Sequence, residues 1–184
     1  RQRGHAATLI RAIIEKYEKK AYELFMLYSD IAPSYYEKLG FRSKQMKLTT
    51  VTAKDEGLSI SQLSLDNYKE HICQYETMIA RQDDYREWLL QRSKPQLFLC
   101  ENHYALIGKH ETEHYVLESS GGANLESFIA QLAYELNLDS LKYWGELRGY
   151  AAQSFRVEIP MFYSKSLNLE QLIQSLELFP IDHV

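Results

Sequence analysis

The sequence predicts an α/β fold built on a mixed sheet (α+β), and three stretches of the chain support that prediction. Residues 6–22 place apolar side chains on one helical face, and the apolar run at 24–28 is typical of a strand buried on both faces. Three short apolar runs between residues 96 and 117 indicate an antiparallel meander. A second amphipathic helix is expected to begin after Asn124. Helices that alternate with buried strands indicate layers of helix on sheet.

The composition is that of a globular protein. The chain has 184 residues, 45% of them hydrophobic and 25% charged. Its 21 basic and 25 acidic residues give a net charge of -4, so neither nucleic acid nor an anionic membrane is expected as a partner. Two distant cysteines support neither a disulfide framework nor a cysteine zinc site, and a reducing, cytoplasmic location is expected. No apolar run approaches the roughly 20 residues that span a bilayer.

The first helix is predicted from an i, i+3, i+4, i+7 pattern. Its apolar face contains Ala6, Ile10, Ile13 and Tyr17, with Leu9 and Ile14 beside them. The strand at 24–28 that follows is expected to lie in a parallel sheet, because such strands are apolar on both faces.

Three further segments are expected before residue 66. Pro33 can open a short helix and Gly40 can close it, so a helix is predicted over 32–39. Residues 41–51 are predicted to form one strand. The polar stretch 52–65 is predicted to be a linker or loop.

The second half begins with two consecutive helices over 66–92, and the meander follows. The glycines at 121–122 end the meander, and Asn124 is expected to cap the next helix. The apolar face of that helix contains Leu125, Phe128, Ile129, Leu132 and Leu136. Strands are predicted at 141–144 and 155–159, and a last helix at 167–178.

The first six residues, Arg1-Gln2-Arg3-Gly4-His5-Ala6, form a basic turn that runs directly into a helix. A helix N-terminus offers free N–H groups and the positive end of the helix dipole, which together can bind an anion. A glycine allows a phosphate to approach the backbone closely. An ordinary turn with two solvated arginines is the alternative, because short glycine motifs also occur by chance.

Two motifs in order resemble the second half of the GCN5-related N-acetyltransferase (GNAT) fold. The first is Arg1-x-x-Gly4-x-Ala6, and the second is the segment 32–41, which contains the pattern A-x-x-x-Y-x-K-x-G-F. An amphipathic helix and a buried strand lie between them, as they do in that family. The resemblance implies a GNAT-like acyl-CoA N-acyltransferase fold.

The resemblance also implies roles for individual residues. The turn of Gln2, Arg3, Gly4, His5 and Ala6 would hold the pyrophosphate of acetyl-CoA through backbone N–H groups. Tyr36 would protonate the departing CoA thiolate as the general acid, the alternative being an aromatic side chain packed on the sheet. Ser29 stands where the family often has asparagine, and is the remaining expected cofactor-binding residue.

The resemblance to a GNAT domain covers only part of the chain. Residues 1–53 correspond to the C-terminal half of such a domain, and residues 54–65 to a linker. Residues 66–184 follow the same order of elements more weakly, with the turn Ser119–Asn124 in place of the arginine-containing turn. We therefore expect a degenerate GNAT-like domain there, and we expect the chain to begin within the first domain. The degenerate second domain is supported by analogy with tandem GNAT proteins.

The string His110-Glu111-Thr112-Glu113-His114 matches the zinc motif H-E-x-x-H. That motif requires a helix, and the flanking residues carry no apolar stripe that would hold one. A charged hairpin turn is therefore predicted, with no metal ligand. A zinc metallopeptidase is the less favoured alternative.

The sequence thus predicts an acetyl-CoA-dependent N-acetyltransferase that acts on a primary amine of a small molecule or peptide. A non-catalytic CoA-binding or interaction module is the second hypothesis, and a homodimer is compatible with either. The acceptor amine and the general base are not identified by the sequence. CoA is expected at Arg3–Ala6, and the turn near Gly122 is expected to stay empty, because only the first turn has arginines beside it.

Overall fold

The structure, a computed structural model, describes residues 5–29, 32–68, 83–154, 159–176, 178 and 180. The helices described in full are α1 (His5–Glu18), α2 (Ser34–Glu37), α3 (Asp83–Ser93), α4 (Leu125–Glu135) and α5 (Leu169–Ser175). The strands in the same ranges are β1 (Phe25–Ser29), β2 (Arg42–Ser43), β3 (Lys47–Thr52), β4 (Ser61–Leu63), β5 (Gln96–Cys100), β6 (His103–His110), β7 (Glu113–Ser119), β8 (Ser140–Trp144), β9 (Ala152–Ser154) and β10 (Ile159–Tyr163). A short 3-10 helix covers Leu65–Asn67.

The chain forms two compact units, and neither is continuous in sequence. The first unit contains Arg1–Met46 and Phe155–Leu176, and the second contains Lys47–Ser154 and Glu177–Val184. Each unit therefore includes a segment that is distant in sequence from the rest of it.

The first unit contains a sheet with the strand order β1-β10-β2. β10 is the central strand and pairs antiparallel with both neighbours, from Phe25 opposite Tyr163 to Ser29 opposite Ile159 on the β1 side. The strand at 24–28 was expected to lie in a parallel sheet. Its antiparallel pairing with β10 shows that this expectation is wrong on that side of the strand. A local apolar run cannot specify the direction of a partner that lies more than 100 residues away.

One buried cluster of the first unit contains Ile14, Phe41 and Met161. Helix α1 contributes Ile14 and, partly buried, Ile10, whereas Leu9 and Ile13 are 62% and 44% exposed. The predicted helix is confirmed, but only one edge of its apolar face is buried. The apolar arc is wider than the part of the helix that packs against this cluster.

The predicted strand 41–51 is two strands, β2 and β3, which belong to different units. The Lys44 N–H donates to the carbonyl of Pro160 at 2.9 Å. This hydrogen bond follows the pairing of β2 with β10. Lys47 begins the second strand and pairs with Ser154 of β9. Residues 44–46 carry no glycine or proline, so the sequence gives no signal for this break.

The second unit is built on a seven-stranded mixed sheet with the order β4-β5-β6-β7-β8-β3-β9. The pairing of β7 with β8 is parallel, at Tyr115 opposite Lys142, and the other described pairs are antiparallel. The predicted meander is confirmed as β5, β6 and β7. Strand β4 lies inside the predicted linker; it is short, mostly exposed and at the edge of the sheet, so it has little hydrophobic pattern.

Alternate residues of the meander belong to two buried clusters of the second unit. Ala105 and Ile107 belong to the cluster that contains the buried face of α4, and Tyr104 and Leu106 belong to the cluster that contains Leu89 of α3. This two-sided burial explains why the strands are continuous apolar runs.

Other predicted elements agree in part. Strand β8 and helix α4 are confirmed, and α2 and α5 are shorter than the predicted helices. Most of the first predicted helix of 66–92 lies outside the described residues, as do residues 155–158 of the predicted strand 155–159. Over the ranges that the structure describes, no helix is both long and apolar enough to cross a membrane.

Candidate active site

The start of α1 is the predicted anion-binding position. Gln2, Arg3 and Gly4 lie outside the described residues, and the helix begins at His5. Both His5 and Ala6 are exposed. The first turn of α1 contains no acidic side chain that would oppose an anion at the positive end of the helix dipole.

Ser29 is the last residue of β1 and is paired with Ile159 of β10. Only 1% of its surface is exposed. Its side chain is therefore part of the packed first unit and not an open surface.

Tyr36 lies in α2, directly before the turn that ends at Gly40. Its ring is half-buried and packs edge-to-face on Tyr35 at 5.1 Å and on Phe41 at 6.2 Å between ring centroids. The Phe41 N–H donates to the Tyr36 carbonyl at 3.2 Å. Within the described residues, no hydrogen bond of the Tyr36 hydroxyl is found.

Gly40 and Phe41 complete the motif and contact a residue that the sequence did not point to, Tyr163. A Cβ atom on Gly40, which has φ of +94°, would lie 3.1 Å from Cε2 of Tyr163. The rings of Phe41 and Tyr163 are 5.5 Å apart. The run at 159–163 is apolar, but Pro160 argues against a strand in the sequence, because proline cannot donate to a sheet.

The glycine turn of the second unit differs from the first turn. Ser120 is buried, and its Oγ accepts the N–H of Tyr104 at 2.9 Å and lies 3.3 Å from Nδ1 of His103. Asn124 precedes α4 in a left-handed conformation without the expected side-chain cap. Glu126 is an acidic side chain in the first turn of α4, which disfavours an anion there.

The H-E-x-x-H string lies on a hairpin and not on a helix. His110 ends β6, Glu111 has φ of +53° in the turn, and His114 lies in β7 opposite Lys109. The predicted charged turn is confirmed. In the part of the chain that the structure describes, no group of three metal-ligating side chains could hold a metal ion.

A polar cavity of 280 Å³ lies beside this hairpin and is lined in part by Glu113, Asp139 and Lys142. Glu113 is held by the Tyr115 hydroxyl, which donates to it at 2.9 Å, and by the Lys142 ammonium at 3.3 Å. These two groups lower the pKa of Glu113. Glu113 and Lys142 are therefore paired with each other within the second unit.

Strand β7 of the meander also contains a buried carboxyl group, that of Glu118. The hydroxyls of Tyr68 and Tyr104 both donate to its Oε1, at 2.5 and 2.9 Å. No local sequence pattern predicts this network, because the two tyrosines lie 50 and 14 residues from Glu118.

Comparison with solved structures shows which known proteins have a similar architecture. No protein-family model and no curated protein matches the sequence. The GCN5-related N-acetyltransferase from Kribbella flavida matches 89% of the chain with a TM-score of 0.63 and 12% identity. A protein of unknown function and probable N-acyltransferase from Enterococcus faecalis V583 also matches 89%, with a TM-score of 0.65 and 12% identity. The GCN5-related N-acetyltransferase from Anabaena variabilis ATCC 29413 matches 88%, with a TM-score of 0.63 and 14% identity.

The chain therefore has the GNAT-like acyl-CoA N-acyltransferase fold that the two motifs implied. It spans about half the length of these structures, since it covers 48%, 51% and 51% of them.

Proposed function

We propose that this chain is part of an acetyl-CoA-dependent N-acetyltransferase that transfers an acetyl group to a primary amine. The observation that carries the proposal is the GNAT-like fold, in which Tyr36 lies on the short helix α2 between β1 and β2. The basic glycine turn before α1 supports the same conclusion, because a helix N-terminus without acidic side chains favours a phosphate group.

In the proposed reaction the amine nitrogen attacks the thioester carbonyl carbon of acetyl-CoA. The tetrahedral intermediate collapses as the carbon–sulfur bond breaks, and the Tyr36 hydroxyl gives its proton to the departing thiolate. The proton lost by the amine goes to solvent or to a base that is not among the residues named here. Gln2, Arg3, Gly4, His5 and Ala6 are the proposed residues that hold acetyl-CoA. The resemblance also implied Ser29, but its side chain is buried in the first unit and is therefore left out of the proposed site.

We propose further that the second unit is the larger part of a degenerate GNAT-like domain without its own acetyl-CoA site. Glu126 in the first turn of α4 and the absence of arginine from the turn 119–124 support this. The domain boundaries proposed from the motifs are 1–53, a linker at 54–65, and 66–184. They differ from the two compact units, which place residues 47–53 in the second unit and residues 155–176 in the first. A soluble cytoplasmic enzyme and a homodimer remain parts of the same proposal.

Replacement of Tyr36 by phenylalanine tests the proposed chemistry, with Tyr35→Phe as the matched control on the same helix. Removal of a general acid lowers turnover by about 10² to 10⁴-fold. In the full-length protein, Tyr36→Phe should therefore lower kcat within that range, with acetyl-CoA affinity nearly unchanged. Tyr35→Phe should leave both nearly unchanged.

Steady-state kinetics and calorimetry of CoA binding give the two quantities. Equal losses of turnover and of CoA affinity in Tyr36→Phe would make Tyr36 a packing residue. CoA binding without any transfer to an amine in the wild type would favour the non-catalytic CoA-binding module.

A further inference from the structure

Tyr163 belongs to the far end of the chain but to the same unit as Tyr36. It is the last residue of β10 and lies opposite Phe25 of β1 in the sheet. Its ring is 6.1 Å from that of Phe25 and 5.5 Å from that of Phe41. Phe41 in turn packs on Tyr36.

The same ring explains two residues of the motif that contains Tyr36. Gly40 passes so close to Tyr163 that a Cβ would be 3.1 Å from the ring, and its φ of +94° favours glycine. Phe41 is buried and lies between the rings of Tyr36 and Tyr163. The turn that follows Tyr36 is thus fitted to the surface of one side chain in β10.

We infer that Tyr163 is a positioning residue, which holds the turn 38–41 and, through Phe41, the ring of Tyr36. The hydrogen bond from the Phe41 N–H to the Tyr36 carbonyl joins the two residues through the backbone as well. The Tyr36 ring is therefore held through its packing. Only the kinetic part of this inference rests on the proposed function.

The ring of Tyr163, and not its hydroxyl, carries this role. Ring atoms of Tyr163 make the close approach to Gly40 and the contact with Phe41. Tyr163→Phe keeps the ring and is the conservative control.

Aromatic NMR spectra of the chain with ring-labelled tyrosine test the inference without any enzyme assay. The Tyr36 signals are identified by their loss in Tyr36→Phe. They should move or broaden in Tyr163→Ala and stay in place in Tyr163→Phe. They should also stay in place in Tyr22→Ala, which removes an exposed tyrosine that packs on Tyr17.

Unchanged Tyr36 signals in a folded Tyr163→Ala protein would overturn the inference. If that variant does not fold, Tyr163→Leu, which keeps apolar volume without the flat ring, takes its place. Nuclear Overhauser contacts of Phe41 with both Tyr36 and Tyr163 in the wild type are also required, and their absence would overturn the inference in the same way.

Kinetics of the full-length protein separate this inference from the proposed function. Tyr163→Ala should lower kcat by about 10²-fold with little change in KM for acetyl-CoA, the size of effect that a small misplacement of a catalytic group produces. Tyr163→Phe should restore most of that loss. If the NMR signals respond but the wild type transfers no acetyl group, the proposed function fails and the positioning of Tyr36 stands.

Discussion

Glu118 is a carboxyl group that is fully enclosed among apolar side chains of the second unit. Burial of such a group is costly unless hydrogen bonds replace those to water. The hydroxyls of Tyr68 and Tyr104 supply two of them. The three side chains therefore form a network whose members depend on one another.

The first prediction concerns one hydroxyl of this network. Tyr104→Phe should lower the free energy of unfolding by about 1 to 3 kcal/mol, because it removes a donor from a buried acceptor. Tyr115→Phe is the matched control, since it also removes a hydroxyl that donates to a glutamate, but to the exposed Glu113. Its effect should stay within about 0.5 kcal/mol. Urea unfolding measures both, and equal losses would contradict the account.

At the scale of the element, the hairpin of β6 and β7 depends on a close approach at Gly108. This glycine is buried, and a Cβ there would lie 2.3 Å from Cδ1 of Leu117. Leu117 belongs to the buried cluster on that side of the sheet and has little room to move.

We expect Gly108→Ala to lower the free energy of unfolding by about 1 to 3 kcal/mol through overpacking. Leu117→Ala removes the atom that the new methyl group would meet. The loss in the double variant should therefore be smaller than the sum of the two single losses. Urea unfolding of all four proteins measures these losses. A loss in the double variant equal to the sum of the two single losses would contradict the close approach of residue 108 to Leu117.

The elements that the sequence predicted are those with strong local patterns. The meander has buried runs bounded by turns, and α4 has Leu125, Phe128, Ile129 and Leu132 on one face, so periodicity was sufficient. The division of residues 41–51 into β2 and β3 has no such signal. It follows from hydrogen bonds to strands whose positions only the complete fold determines.

In the candidate site, too, the residues that could be predicted are those with a local sequence pattern. Tyr36 and the first turn were found through motifs, because the residues of each motif are close in sequence. Tyr163 was missed, since it is separated from Phe41 by more than 100 residues and follows a proline in its own strand. Its role depends on a tertiary contact that no periodicity encodes.

Each of the two units of the molecule is made of two separate segments of the chain. β10 is the central strand of the first unit, and among the described residues β1 and β2 pair with it and not with each other. Strand β3, which follows the first unit in sequence, lies between β8 and β9 of the second unit. The first 46 residues therefore lack the strand that joins their sheet.

Truncation tests this dependence. A chain that ends at Ser154 lacks β10 and should lose amide protection over β1 and β2, while β5, β6 and β7 remain protected. A chain that ends at Leu176 keeps β10 and serves as the control, because both truncations remove residues 177–184. Hydrogen exchange followed by mass spectrometry gives the comparison. Protection of β1 in the shorter chain would contradict the strand order.

We propose that CoA binds at the turn before α1 and not at the glycine turn of the second unit. Calorimetric titration of CoA into the wild type, Arg3→Glu and Arg148→Glu tests this proposal. Arg3→Glu should weaken binding by about 1 to 3 kcal/mol, the usual size of a charge-assisted hydrogen bond. Arg148→Glu, in the second unit, should bind CoA as the wild type does. Wild-type affinity in Arg3→Glu, with binding lost in Arg148→Glu, would contradict the claim.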